Sequence, residues 1–227
     1  MKYIILIPAY NPDSKLIKLL RDINGKYETI IVNDGSDKVY NGIFNEAKKY
    51  AYVITYNKNQ GKGYALKTGF NYIEDTYKKY VVATVDADGQ HTIIDAIKLC
   101  DYAKDNPDTL VIGKRNINSK MPLKSRLGNK VTRKILNKFA KTNIYDTQSG
   151  LRAFSNKLMD YMQKTPGNGY EYEINVLLNL NNNKINYHEI DISTIYFNHN
   201  KKSHFKVVRD SYKIYREIIK WKIKKQG

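Results

Sequence analysis

Residues 80–91, YVVATVDADGQH, decide the fold class of this chain. The run at 80–85 is apolar or β-branched and predicts a buried strand, and two carboxylates, Asp86 and Asp88, follow at once. Residues 92–104 then have the apolar spacing of a helix. A buried strand that runs into a polar turn and then into a helix is typical of a βα unit in a parallel sheet.

The same pattern extends to both sides of this stretch. Further strands are predicted at 3–7, 29–32, 52–55 and 109–112, and further helices at 14–21, 41–50 and 63–73. The second half predicts a long basic helix at 123–141, a helix at 170–181, one or two strands within 184–197 and a last helix at 204–223. We therefore expect an α/β fold in which helices flank a mostly parallel sheet, with one domain at 1–200 and a basic helical extension at 201–227.

Composition excludes several classes of protein. The chain has 227 residues, 41% of them hydrophobic, and its single cysteine, Cys100, rules out an internal disulfide framework and a CxxC zinc site. No apolar stretch approaches the roughly 18 residues that span a bilayer. The N-terminus predicts a first strand rather than a signal peptide, so we expect a cytoplasmic protein.

The net charge of +17, from 39 Lys and Arg against 22 Asp and Glu, predicts a polyanionic partner. Residues 201–225 hold ten of the basic residues and only two acidic ones, with Trp221 among apolar residues near helical spacing. Two interpretations stay open: a helix at the anionic inner face of the plasma membrane, or a helix packed on the domain with solvated lysines.

Polar motifs follow all five of the strands predicted in the first half. They are Pro8-Ala-Tyr10-Asn11, Asn33-Asp34-Gly35-Ser36, Asn59-Gln-Gly61-Lys62-Gly63, Asp86-Ala87-Asp88-Gly89-Gln90-His91 and Gly113-Lys114-Arg115. Ligands of open parallel sheets bind beyond the carboxyl ends of the strands, so this repetition predicts a ligand site there.

Asp86 and Asp88 predict a metal site, because two close carboxylates repel unless a cation or a proton lies between them. Gln90 adds an amide oxygen, and oxygen ligands of this kind hold Mg²⁺ or Mn²⁺ against a diphosphate. The alternative, a solvated turn that caps the next helix, is less favoured after a buried strand. Lys62 lies in a glycine turn that fits either a phosphate at a helix start or a flexible helix entry.

These motifs, in this order, resemble the signature of family 2 glycosyltransferases, and most of all the polyprenyl- or dolichol-phosphate sugar synthase-like branch. The segment from Asp146 to Arg152, DTQSGLR, resembles that branch as well. The resemblance implies a GT-A fold and inverting transfer from a UDP- or GDP-sugar to a polyprenyl-phosphate or cell-envelope glycan acceptor. One departure is Asn33, where an acidic residue is commoner in the family.

The resemblance also implies site residues. Donor binding is expected at Pro8, Tyr10, Asn11, Asp34, Ser36, Gly61, Lys62, Asp86 and Ala87. The metal, Mg²⁺ or Mn²⁺, is expected at Asp86, Asp88 and Gln90. The candidate catalytic and acceptor-binding residues are Asp88, Arg115, Arg126, Asp146 and Glu171, with the two arginines at the acceptor phosphate.

Asp146 is the candidate base for an alcohol acceptor, whereas a phosphate acceptor is already an anion and needs mainly cationic positioning. A turn-forming role for Asp146 stays open. Arg152 is expected to pair with a carboxylate such as Asp146 or Glu171. Glu171 and Glu173 lie two residues apart and cannot share one helix face, and we take Glu171 as the site residue.

Two other functions fit the sequence less well. A sugar-phosphate nucleotidyltransferase lacks support because Pro8-Ala-Tyr10 stands where that class has a glycine-rich start. A nucleic-acid-binding protein would explain the charge, but no signature of a nucleic-acid-binding module accompanies it, so nucleic acid is not an expected partner.

Overall fold

The computed structural model describes residues 1–116, 123–193 and 195, and only the backbone of 123–128, 131, 135 and 139. The described strands are β1 (Lys2–Ala9), β2 (Glu28–Asp34), β3 (Tyr52–Tyr56), β4 (Tyr80–Thr84), β5 (Thr109–Arg115), β6 (Arg152–Ser155) and β7 (Asn186–Ile192). The described helices are α1 (Lys15–Ile23), α2 (Asn41–Ala47), α3 (Lys62–Thr76), α4 (Ile93–Asp105), α5 (Leu123–Ala140), α6 (Met159–Lys164) and α7 (Glu171–Leu178).

The strands form one sheet in the order β3-β2-β1-β4-β6-β5-β7. Only β6 is antiparallel to its neighbours, with Arg152 opposite both Thr84 of β4 and Ile112 of β5. The carboxyl ends of the other six strands therefore lie at one edge of the sheet, together with the amino end of β6. We call this the carboxyl edge.

Successive side chains of the central strands point to opposite faces of the sheet and so fill two hydrophobic cores, one on each face. Ile4 and Leu6 of β1 pack on the side of α3, α5, α6 and α7, whereas Ile5 and Ile7 pack on the side of α1, α2 and α4. All four side chains are fully buried, which explains the continuous apolar run of this strand. Helices on both faces leave the carboxyl edge as the place where loops meet.

The prediction of a mostly parallel sheet flanked by helices is confirmed, and each strand predicted in the first half is present. Two elements were not predicted: β6, which inserts between β4 and β5, and α6. The helix predicted at 170–181 ends at Leu178 and a short 3-10 turn follows at Asn181–Asn183, while 184–197 holds the single described strand β7.

The predicted helix at 204–223 and the extension at 201–227 lie outside the described residues, so the division at residue 200 stays a prediction. Among the residues that the structure does describe, no helix is both long and apolar enough to cross a membrane.

Candidate functional site

The loops after β1 and β2 are clasped together. The Asn11 N–H donates to Ser36 Oγ at 2.9 Å, and the Asn11 side-chain amide exchanges two 2.9 Å hydrogen bonds with Asp37. Asn33 Oδ1 accepts from the Ser36 N–H at 3.0 Å, so the amide at this position shapes the turn locally. Asn11 has a φ of 47°, a left-handed conformation that asparagine tolerates. The clasp brings two predicted donor-binding residues, Asn11 and Ser36, side by side.

Asp34 organises the loop that enters α3. Its carboxylate is 3% exposed and accepts from Tyr56 Oη at 2.7 Å, from Asn59 Nδ2 at 2.9 Å and from the N–H groups of Gln60 and Gly61 at 2.8 and 2.9 Å. Burial, and then the hydrogen bond to Asp34, raise the pKa of Tyr56 well above its ordinary value. The described contacts of this carboxylate therefore fix the 59–61 loop, and its predicted contact with the nucleoside stays a prediction.

The glycine turn before α3 is held from a second side. Gly61 has a φ of 101°, and a Cβ built on it would lie 2.5 Å from the Asn168 carbonyl oxygen. The same oxygen accepts from the Tyr64 N–H at 3.0 Å. The turn is thus fixed between Asp34 and the loop before α7, which argues against a flexible helix entry and gives Lys62 a defined direction.

Lys62 points into a half-buried ion cluster that we call the Lys62 cluster, made of Lys62, Asp86 and Glu173. Lys62 Nζ lies 2.6 Å from Asp86 Oδ1 and 3.0 Å from Glu173 Oε1, and the three side chains are 16%, 28% and 15% exposed. Burial alone would lower the pKa of Lys62, but the two carboxylates outweigh it and raise that pKa. Glu173 was not predicted as a site residue.

Asp86 is placed by the backbone of the loop before β6. A Cβ built on Gly150 would lie only 2.3 Å from Asp86 Oδ2, so only glycine leaves room for this carboxylate. His91, which is 5% exposed, has Nε2 3.8 Å from Asp86 Oδ2 and Nδ1 without a described partner. Burial alone would raise the pKa of Asp86, but Lys62 and His91 hold it far below its usual range.

Asp88 stands two residues further along the same loop, and Asp88 Oδ1 accepts from the Gln90 N–H at 3.0 Å. Desolvation, and then the neighbouring Asp86 carboxylate, raise the pKa of Asp88. The Gln90 carbonyl accepts from the Ile195 N–H at 3.2 Å, so the chain that leaves β7 is tied to this loop.

These residues fit a divalent ion only if a substrate completes its coordination. Among the described residues, no group of three or more His, Cys, Asp or Glu side chains is arranged as a metal cage. Mg²⁺ is commonly held by one or two carboxylates together with substrate phosphates. Asp86 and Asp88 offer such a pair of hard oxygen donors at the carboxyl edge, although Lys62 contacts one oxygen of Asp86.

Arg115 and Asp146 form a buried ion pair at the end of β5. Arg115 Nε and Nη2 lie 2.7 and 3.0 Å from the carboxylate oxygens, which also accept from the Arg115 and Gln148 N–H groups and from Asn129 Nδ2. Asp146 is fully buried and Arg115 is 15% exposed. Burial alone would raise the pKa of Asp146, but Arg115 and the backbone donors lower it.

Glu189 of β7 fixes the same loop by accepting from the Tyr145 and Asp146 N–H groups at 2.9 Å each. Asn129 Oδ1 accepts from the Thr147 hydroxyl at 2.9 Å, which ties α5 to the loop. Asp146 therefore sits in a rigid polar network, and its predicted role as a base stays a prediction.

The partners of Arg152 differ from the expected carboxylate, whereas the described contacts of Glu171 leave its site role a prediction. Arg152 donates to the backbone carbonyls of Ser149 and Glu173, at 3.3 and 3.0 Å, rather than to a carboxylate. Glu171 Oε1 accepts from the Asn168 and Gly169 N–H groups, so it closes the turn before α7, while Glu173 reaches Lys62. Lys62 and Glu173 are 111 residues apart, and no local pattern in the sequence points from one to the other.

Three more predicted site residues, Pro8, Tyr10 and Ala87, lie at the carboxyl edge. Pro8 and Tyr10 are half-buried at the end of β1, and Ala87 is half-buried between the two aspartates. Arg126 lies on α5, but its side chain is outside the part of the chain that the structure describes.

Comparison with known proteins agrees with the motifs. The family model described as glycosyl transferase family 2 matches residues 4–162. The UDP-N-acetylglucosamine–dolichyl-phosphate N-acetylglucosaminyltransferase of Methanococcus voltae is 30% identical over 217 residues, which cover 85% of each chain. The undecaprenyl-phosphate 4-deoxy-4-formamido-L-arabinose transferase of Proteus mirabilis is 27% identical over 71% of this chain, which spans about half (51%) of that relative.

A solved structure, mannosyl-3-phosphoglycerate synthase from Rubrobacter xylanophilus, superposes with a TM-score of 0.74 at 15% identity, over 96% of this chain and 73% of the other. This likeness supports the GT-A fold. The predicted resemblance to the polyprenyl- and dolichol-phosphate branch is confirmed by the named relatives. The chain belongs to glycosyl transferase family 2 and is a nucleotide-sugar-dependent glycosyltransferase.

Proposed function

We propose that the protein transfers a sugar, with inversion at the anomeric carbon, from a UDP- or GDP-sugar to a polyprenyl-phosphate acceptor. The observation that carries this proposal is the meeting of opposite charges at the carboxyl edge. The carboxylates of Asp86 and Asp88 follow β4, and the Arg115 guanidinium ends β5. Relatives whose names specify dolichyl- and undecaprenyl-phosphate acceptors support the choice of a lipid phosphate.

The donor would bind at the clasped loops after β1 and β2, with its diphosphate toward Asp86 and Asp88. These two carboxylates, with Gln90, would hold Mg²⁺ or Mn²⁺. When bound, such an ion supplies a Lewis acid for the negative charge that develops on the leaving diphosphate. Lys62, fixed at the start of α3, adds a positive charge beside the same group.

A phosphate acceptor suits this site better than an alcohol of a cell-envelope glycan. An alcohol needs a general base, and the best candidate, Asp146, is fully buried and accepts five described hydrogen bonds, two of them from the Arg115 side chain. We therefore assign Asp146 as a positioning residue that orients Arg115 toward the acceptor phosphate. Arg126 on α5 is proposed as a second cation for that phosphate.

We also propose that the protein works in peripheral contact with the inner face of the plasma membrane. A lipid-linked acceptor requires contact with a bilayer, and the excess of basic residues at 201–225 provides the charge for an anionic surface. Whether that segment binds lipid is tested by sedimentation with anionic and neutral vesicles: binding to the anionic vesicles that high salt abolishes supports the proposal, and equal recovery with both overturns it.

The proposed reaction is tested by incubating the purified protein with UDP- and GDP-sugars, Mn²⁺ or Mg²⁺, and a polyprenyl phosphate in detergent. We expect one sugar to appear on the lipid with inverted anomeric configuration by NMR. The variant Asp88→Asn is expected to lose nearly all transfer, whereas the matched surface control Asp191→Asn is expected to retain it. Absence of lipid-linked product with every donor, or full activity of Asp88→Asn, would contradict the proposal.

A further inference from the structure

We propose that Lys62 occupies the metal's place at Asp86 in the donor-free protein, so that the divalent ion binds tightly only together with the nucleotide diphosphate. This inference rests on the proposed function, since it concerns the order in which ligands enter that same site. Lys62 then has a second role, as a counter-ion that the divalent ion displaces from Asp86. Glu173 is the carboxylate that Lys62 contacts after this displacement.

The first argument is the occupancy of Asp86. Lys62 Nζ lies 2.6 Å from Asp86 Oδ1. The other oxygen, Oδ2, lies 3.8 Å from His91 Nε2 and faces Gly150, where a Cβ would come within 2.3 Å of it. A divalent ion binds a carboxylate oxygen at about 2.0–2.1 Å. A buried ammonium group and a divalent ion at the same oxygen would repel each other strongly, since little water separates them.

The second argument is the position of Glu173. Its Oε1 lies 3.0 Å from Lys62 Nζ, and the Glu173 side chain is 15% exposed. If Lys62 leaves Asp86, it keeps a carboxylate partner and is not left as an unpaired buried charge, which would be costly. Glu173 thus makes the exchange feasible.

The third argument is charge balance. In the donor-free protein, Lys62 neutralises one of the two carboxylates in its cluster, so Asp86 and Glu173 together offer a divalent ion less negative charge than they would without Lys62. A nucleotide diphosphate brings negative charge that accommodates both cations. Metal and nucleotide are therefore expected to bind with positive coupling, and Lys62 adds to the coupling that the diphosphate oxygens create by completing the ion's coordination.

The test measures Mn²⁺ binding by EPR and calorimetry, with no nucleotide and with UDP or GDP. We expect the wild type to bind Mn²⁺ weakly alone and much more tightly with one of the two nucleotides. Lys62→Met should bind Mn²⁺ alone about ten- to a hundredfold more tightly than the wild type, the range expected for one competing charged hydrogen bond. Nucleotide should still tighten Mn²⁺ binding in this variant, but by a smaller factor than in the wild type.

A matched control separates local competition from general electrostatics. Lys67→Met removes one positive charge from the same helix, but Lys67 Nζ donates to Asn168 and stacks on Tyr172 rather than contacting Asp86. Lys67→Met should therefore bind Mn²⁺ like the wild type. Equal tightening in the Lys62 and Lys67 variants would overturn the inference.

Two further variants keep the inference testable if Lys62→Met folds poorly. Glu173→Gln retains Lys62 but removes its second partner, so it should bind Mn²⁺ with nucleotide more weakly than the wild type, and unchanged affinity would overturn the inference. Lys62→Met/Glu173→Gln should keep the tight binding of Mn²⁺ alone, and loss of that binding would mean that Glu173 had become a ligand. Failure of the proposed function is distinct, because it would show as absence of sugar transfer to the lipid phosphate while the Mn²⁺ titrations of these variants gave the results expected here.

Discussion

Replacing Asp146 with Asn removes the negative charge that faces Arg115 and keeps the shape of the side chain. The carboxylate is fully buried and accepts five described hydrogen bonds, so the substitution removes the charge that faces the Arg115 guanidinium in this pair. Breaking a buried ion pair from one side costs about 3–5 kcal/mol. For a domain of this size each kcal/mol lowers Tm by about 2–4 °C, so we expect Tm to fall by about 6–20 °C.

The exposed ion pair between Lys114 and Asp191 supplies a matched control. Lys114 Nζ lies 3.0 Å from Asp191, but these side chains are 30% and 80% exposed, so Asp191→Asn should cost no more than about 1 kcal/mol. Thermal and urea unfolding of both variants provide the comparison. Equal losses in Asp146→Asn and Asp191→Asn would refute the assignment of a buried, mutually dependent pair.

The pH dependence of the unfolding free energy of the wild type and Asp146→Asn gives a second test of the buried ion pair. Because the pKa of Asp146 is lower in the folded protein, its charge stabilises the fold above the unfolded pKa of about 3.9. That contribution is lost as pH falls through the lower folded pKa. The stability difference between wild type and Asp146→Asn should therefore narrow below about pH 4, and a difference that stays constant would contradict this reasoning.

Two further perturbations test the loop that enters α3. Gly61→Ala should destabilise the fold by about 1–3 kcal/mol in urea unfolding, because Gly61 has a φ of 101° and the added Cβ would meet Asn168. The control is Gly42→Ala, at a position within α2 that has open space around it. This variant should be neutral or more stable by up to about 1 kcal/mol. Asp34→Asn should increase amide hydrogen exchange at residues 59–61 and leave the interior of α1 unchanged, since its described hydrogen bonds hold that loop; unaltered exchange at 59–61 would contradict the role given to Asp34.

The sequence allowed prediction of those strands that are buried on both faces. Tyr80–Thr84 and its predicted counterparts are continuous apolar runs, and such runs bounded by polar turns carry a strong local signal. Strand β6 has only four residues, Arg152–Ser155, and begins with a charged side chain. Its position is decided by pairing with β4 and β5, which no local pattern encodes.

The candidate site likewise contains residues that the local sequence could predict and one that it could not. Asp86 and Asp88 were predicted because they follow a buried strand directly, so their position depends on local sequence alone. Glu173 was missed because its importance comes from Lys62, on another helix. The two-residue spacing predicts that Glu171 and Glu173 lie on different faces of their helix. It does not predict which of these faces packs against α3.

The reversed strand β6 also sets the distance between the ends of β4 and β5. Because it lies between β4 and β5, the ends that carry Asp86 and Arg115 are separated by two interstrand gaps, about 9–10 Å in all. Asp86 is paired with Lys62, and Arg115 is paired with Asp146. The chain that enters β6 lies between the two pairs, with Gly150 against Asp86 and the Leu151 carbonyl accepting from the Gly113 N–H. This four-residue insertion thus works as a spacer that keeps the two ion pairs separate, each with its own partner.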